Sequence, residues 1–203
     1  MNPEFFGLIS GGLVFLSVIP YAIRTHQGLI EPNITTWSLW TIIGLSILFT
    51  YKSSGAEANV WPAVFGFTNP LLIALLACKH RGEWTKPNNV DKTCIVIGLV
   101  SLVIWAITRQ EQDLVRFALY MAIVADAVAA VPTINLVWQK PESDRPFAWG
   151  LFAIGYGLSM LAITEHTFAN WALPLYMFFG AGSVAVVLAR HRVKTNAPWK
   201  EWV

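Results

Sequence analysis

A carboxylate in the middle of an apolar run is the first residue in this chain with the chemistry to do work. Of its 12 Asp and Glu residues, Asp126 alone lies inside a long apolar stretch, residues 117–139. About nine apolar residues precede it there, which places it roughly 14 Å along a helix at 1.5 Å per residue. An ionised, unpaired carboxylate at such a depth in hydrocarbon costs about 3 kcal/mol or more. The side chain therefore keeps its proton or faces a wet cavity. Either state suits binding a proton, a cation or the amino group of a solute; the structural alternative is a protonated acid bonded to a neighbouring helix. Its helical neighbours Ala122, Ala129, Ala130 and Thr133 form a narrow face, which can border a cavity or admit another helix closely.

Two polar residues join it as candidate solute ligands. Asn69 stands midway along the apolar run 58–78 and is followed by Pro70. An asparagine offers donor and acceptor together, and the proline frees the Gly66 carbonyl one turn earlier. Its structural alternative is a cap for the proline break. Tyr176 follows Pro174 by two residues in the run 167–189 and is the third candidate. Pro20 and Pro132 fall near one end of their spans and are candidate hinges, because proline kinks a helix. Tyr21 and Asn135, one and three residues further on, are candidate gate residues.

The elements that must carry these residues are transmembrane helices. The chain is 55% hydrophobic and only 13% charged, with a mean hydropathy of +0.53, against about 25% charged in soluble domains. A bilayer core about 30 Å thick needs about 20 apolar residues per helix. Seven stretches approach that length: 5–23, 33–51, 58–78, 93–108, 117–139, 146–164 and 167–189. The fourth, short and bounded by charges, is the weakest of them. Runs of this kind satisfy their backbone polar groups in the bilayer only as helices. The expected fold is thus an all-α integral membrane bundle of seven transmembrane helices.

Eleven Lys and Arg residues fall at the end of the bundle that holds the C-terminus, against Lys52, Arg109 and Arg116 at the other. By the positive-inside rule the N-terminus is outside and the C-terminus cytoplasmic, in the plasma (inner) membrane. No basic stretch precedes the first span, which reads as a retained helix. The tryptophans gather at the two boundaries as an aromatic belt. The net charge of +2 gives no argument for nucleic acid, and no phosphate-binding glycine loop is present. All four histidines lie outside the spans, which argues against haem or an intramembrane metal. No lysine lies within a span, which excludes a retinal Schiff base. No cofactor is expected, nor is an enzyme, since one acid without a second acid, a nucleophile–base pair or a metal set gives no reaction.

The chain also repeats itself. A shift of 112 residues sets Pro20 on Pro132, Gln27 on Gln139 and Trp37 on Trp149, with Val14 opposite Asp126; a shift of 110 sets Trp61 on Trp171. Three helices per half joined by a single one give parallel halves around an axis along the membrane normal, with a solute cavity between them. The expected organisation is a first three-helix repeat over 1–79, a basic loop and linker helix over 80–112, a second repeat over 113–190 and a cytoplasmic tail over 191–203.

Pro20, Pro132 and the mid-helix Asn69, set in a 3+1+3 bundle with an outside N-terminus, resemble the SWEET sugar transporters and the wider PQ-loop superfamily, in the form of a divergent bacterial-type member. That group includes lysosomal amino-acid exporters and KDEL receptors. Tyr21 and Thr133 follow the two prolines here in place of the glutamine of the PQ pair. The resemblance implies a small polar solute transporter, for a sugar or an amino-acid-like molecule, working by alternating access between the halves. Proton coupling would run through Asp126. The expected partners are the solute and membrane lipids, with a homo-oligomer or larger membrane complex as a further possibility. The alternatives on the same scaffold are a non-transporting receptor and a structural subunit.

Overall fold

The computed structural model describes residues 2–28, 30, 32–80 and 84–203. They form seven α-helices in chain order: α1 (Pro3–His26), α2 (Ile34–Ser53), α3 (Trp61–Lys79), α4 (Asn89–Thr108), α5 (Gln112–Gln139), α6 (Pro146–Ser159) and α7 (Phe168–Lys194), with no strand among the described residues. The starts are written in local sequence. Asn2, Asn33 and Thr167 cap α1, α2 and α7 with side-chain oxygens, and Asn88 and Asp91 form a reciprocal capping box at α4. Proline opens α1, α3 and α6, where its missing N–H has no partner to lose. Arg24, Lys79 and Arg192 lie in the last turns of α1, α3 and α7. These basic side chains meet the negative ends of three helix dipoles at one end of the bundle.

Six helices are long and apolar enough to cross a membrane, which makes this a multi-pass membrane protein. The weak member is not the fourth, as its flanking charges suggest, but the sixth. The capping box absorbs Asp91 into the first turn, so α4 begins before the charges end and reaches 20 residues. The α6 helix has 14 residues and continues as a 3-10 turn, Met160–Ala162. At about 1.5 and 2.0 Å per residue the two together rise roughly 27 Å, close to a hydrocarbon core.

The packing places α3 against both α1 and α2, and α7 against both α5 and α6. Between these groups α1 packs on α6 and α2 on α5, while α4 lies against α2 and α5. One core runs through the centre, where Val14, Ile43, Leu119, Tyr156 and Leu173 from five different helices are fully or almost fully buried. The outward faces are apolar instead: Ile107 is 76% exposed and Leu75 61%, as lipid-facing positions of a membrane protein are. Small residues set the closest crossings. A Cβ on Gly155 of α6 would lie 2.7 Å from Val14 Cγ2 of α1. One on Gly44 of α2 would lie 2.9 Å from the Gly66 carbonyl oxygen of α3. The carbonyl that Pro70 frees thus lies beside the α2 backbone at Gly44.

Candidate functional site

The polar residues singled out in the sequence resolve into two helix-to-helix pairs. Tyr176 of α7 donates its hydroxyl to Asp126 Oδ2 of α5 at 2.8 Å. Asn69 of α3 donates Nδ2 to the Val14 carbonyl of α1 at 2.8 Å and is buried. In each case the third helix of a group donates to its first helix, and the two acceptors stand 112 residues apart. Asp126 is half-buried and faces α7 through its bond to Tyr176. Asp126 and Tyr176 therefore form one unit, and Asn69 belongs to another.

Of the hinge and gate residues, Pro20 and Pro132 lie inside unbroken helices. Tyr21 packs its ring against that of Trp37, centroids 5.0 Å apart and planes tilted by 51°. With Pro20 it lines a cavity of about 100 Å³ between the basic ends of α1 and α6. Asn135 is exposed on α5, away from that cavity. His26 and His80 meet beside this end, with Nδ1 and Nε2 3.2 Å apart.

The opposite end holds what sequence reasoning missed. Pro174 has no N–H, so the Asn170 carbonyl one turn earlier lacks its helical donor. Tyr51 of α2 supplies one instead, its hydroxyl 2.9 Å from that oxygen. The same hydroxyl accepts from Asn59 Nδ2, and Asn59 Oδ1 accepts from the Glu57 N–H at 2.9 Å. Asn170 Nδ2 in turn donates to the carbonyls of Glu165 (2.9 Å) and Gly55 (3.4 Å). Gly55 has φ of +103°, a backbone conformation that other residues rarely adopt, which accounts for glycine there. Thr164 Oγ1 closes the network on Glu57 Oε2 at 3.2 Å.

A second tyrosine makes the reciprocal crossing. Tyr156 of α6 donates to the Pro62 carbonyl in the first turn of α3 at 3.2 Å. So α2 reaches the first turn of α7, and α6 reaches the first turn of α3. Both tyrosines are 1% exposed. The signal available in sequence was faint: Asn59 and Asn170 stand 111 residues apart beside the recurring tryptophans, and Pro174 announces a carbonyl in need of a donor.

Tyr51→Phe removes the only donor to the Asn170 carbonyl that these bonds provide, and strands Asn59 Nδ2. Burying two unsatisfied groups costs about 2 kcal/mol or more. Thermal unfolding in detergent should show this loss, whereas Tyr120→Phe should stay within about 0.5 kcal/mol, as substitutions away from such networks do.

Among the described residues no three His, Cys, Asp or Glu side chains gather as a metal site. Cys78 and Cys94 are both free, the first exposed and the second buried. No family model, curated protein or solved structure matches this chain.

Proposed function

We propose that the protein is a small-solute transporter of the SWEET and PQ-loop kind, in which α1–α3 and α5–α7 rock against each other with α4 as the linker. The observation that carries this reading is the contrast between the two ends of the bundle. At one end the reciprocal tyrosine bonds and the buried asparagine network tie the two groups together. At the other a cavity lies between α1 and α6, lined by Pro20 and Tyr21 on one side and Phe147 and Ala148 on the other. Closure at one face and a gap at the other is the geometry of one state of an alternating-access cycle. The pairing of α1 with α6 and of α2 with α5 is also what a 3+1+3 parallel repeat requires of its seam.

The solute is a small polar molecule, sugar or amino-acid-like, with Asp126 and Tyr176 as its polar contact and Asp126 as the proton carrier. The site sits in the plasma (inner) membrane, with the tyrosine-latched end outside and the basic end cytoplasmic. The test is to hold the outer end shut. In protein carrying Cys78→Ser, Glu57→Cys and Thr164→Cys, a short bis-methanethiosulfonate, which bridges two thiols through disulfides, should cut uptake into proteoliposomes at least tenfold, and reduction should restore it. The solute is first identified by thermal stabilisation of the purified protein with sugars, amino acids and vitamins. Undiminished uptake through bridged protein would reject the rocking motion.

One observation favours a second reading, a receptor or structural subunit on the same scaffold. The centre is packed by Val14, Ile43 and Leu119, and a protein with no passage needs no more than that. Unbridged protein that stabilises with a solute but never carries it across would decide for this reading.

A further inference from the structure

Three arginines converge where the cavity at the basic end meets the last residues of the chain. Arg24 comes from the last turn of α1, Arg145 from the residue before α6 and Arg192 from the last turn of α7. Arginine stays charged in proteins, and like charges in a confined site repel. Burial and the neighbouring Arg24 and Arg192 lower the pKa of Arg145 below the usual arginine value. Among the described residues the sole ion pair is Arg116–Asp113, at 3.6 Å elsewhere. Glu201 and Asp144 supply the nearby negative charge, and Asp144 turns its oxygens to the Arg145 N–H and to Trp149 Nε1.

Arg24 Nη2 and Arg145 Nη1 both donate to the same main-chain oxygen of Val203, the second at 2.8 Å. Arg145 also reaches the Lys200 carbonyl. Arg192 is a different case: its 4% exposure and its bonds to the carbonyls of Glu142, Asp144 and Glu201 make it a structural clamp. The segment 199–203 is held further by the Phe147 N–H, which donates to the Trp202 carbonyl at 3.0 Å. Val203 itself lines the cavity beside Pro20 and Tyr21.

We infer that Arg24 and Arg145, one from each helix group, form an oxyanion-binding site at the cavity mouth, and that segment 199–203 is its built-in competitor, displaced by a carboxylate or phosphate group. Two guanidiniums facing one oxygen are arranged as they would be for an oxyanion, which offers charge and several acceptor lone pairs. Occupied by the chain's own residue 203, the site joins α1 to α6 at the cavity mouth. Occupied by an oxyanion, the segment is released and the mouth is free. This inference does not depend on transport, because it concerns occupancy of the mouth and its test measures no flux.

Hydrogen exchange on the full chain decides it, since release of the segment uncovers the Phe147 amide. In phosphatidylcholine nanodiscs, inorganic phosphate or acetate should speed exchange at Phe147 and Trp202 at least tenfold over chloride at equal ionic strength. Nanodiscs containing phosphatidylglycerol, without added phosphate, ask whether a lipid headgroup does the same. Acceleration in the first arm assigns a soluble oxyanion, and in the second alone a lipid. In Arg24→Gln and Arg145→Gln the amides should exchange fast in chloride, with phosphate adding nothing. Arg24→Lys should keep a weaker response. Equal protection of Phe147 in all four media overturns the inference, as does an undiminished phosphate response in both glutamine variants.

Discussion

Gly155→Ala is expected to cost about 3 kcal/mol or more of stability, at the upper end of what overpacking a core produces. The added Cβ would lie 2.7 Å from Val14 Cγ2, 2.8 Å from the Ser10 carbonyl oxygen and 3.2 Å from the Val14 nitrogen. None of these atoms moves cheaply. Val14 is fully buried and stiff at χ1 as a β-branched residue in a helix. Two of the three atoms belong to the α1 backbone. The methyl group can be housed only by driving α1 from α6, along the seam between the two helix groups. The control sits in the same two helices: Gly12 of α1 and Gly150 of α6 have no neighbour within 4 Å. Alanine at either should be neutral or gain up to about 1 kcal/mol from helix propensity. Thermal unfolding of the three variants in one detergent checks the crossing. Gly155→Ala as stable as Gly150→Ala would mean that α1 and α6 do not meet this closely.

The second large effect concerns the carboxylate. Asp126→Asn should lower pH-driven solute accumulation in proteoliposomes at least tenfold while leaving downhill equilibration in place. The amide is isosteric and still accepts from the Tyr176 hydroxyl, so the 2.8 Å contact between α7 and α5 survives. What the variant loses is the titratable carboxyl group, and with it any coupling of solute movement to a proton gradient. Tyr176→Phe should act differently: it leaves the proton site in place but removes the hydroxyl that orients it, so the pH dependence shifts without vanishing. Accumulation undiminished in Asp126→Asn would remove proton coupling and leave facilitated transport standing.

The two variants probe different layers of one design. The α1–α6 crossing is a matter of shape, set by a missing methyl group. The Asp126–Tyr176 pair is a matter of chemistry, set by one acid that the surrounding hydrocarbon makes costly. The asparagine network at one end and the arginines at the other belong to neither pattern, because each is assembled from loops and helix ends distant in sequence.

The amino-acid sequence determined what the solvent would be and therefore what the secondary structure had to be. Seven apolar runs with almost no charge permit only helices in a bilayer, and their capping asparagines and opening prolines stand where the helices begin. It also marked Asp126 as a polar residue out of place and Tyr176 as a further candidate, though not that they are each other's partners. The length of the sixth helix was hidden, because hydropathy does not distinguish a 3-10 turn from a continued α-helix. So was the role of Pro174, whose orphaned carbonyl finds Tyr51 across 119 residues of chain. Only tertiary structure decided which end is tied shut and which holds a cavity. The physical reason is one of range: helix formation and membrane insertion are settled within a single run of residues, whereas a hydrogen bond between helices depends on how both are placed and rotated, which no single run encodes.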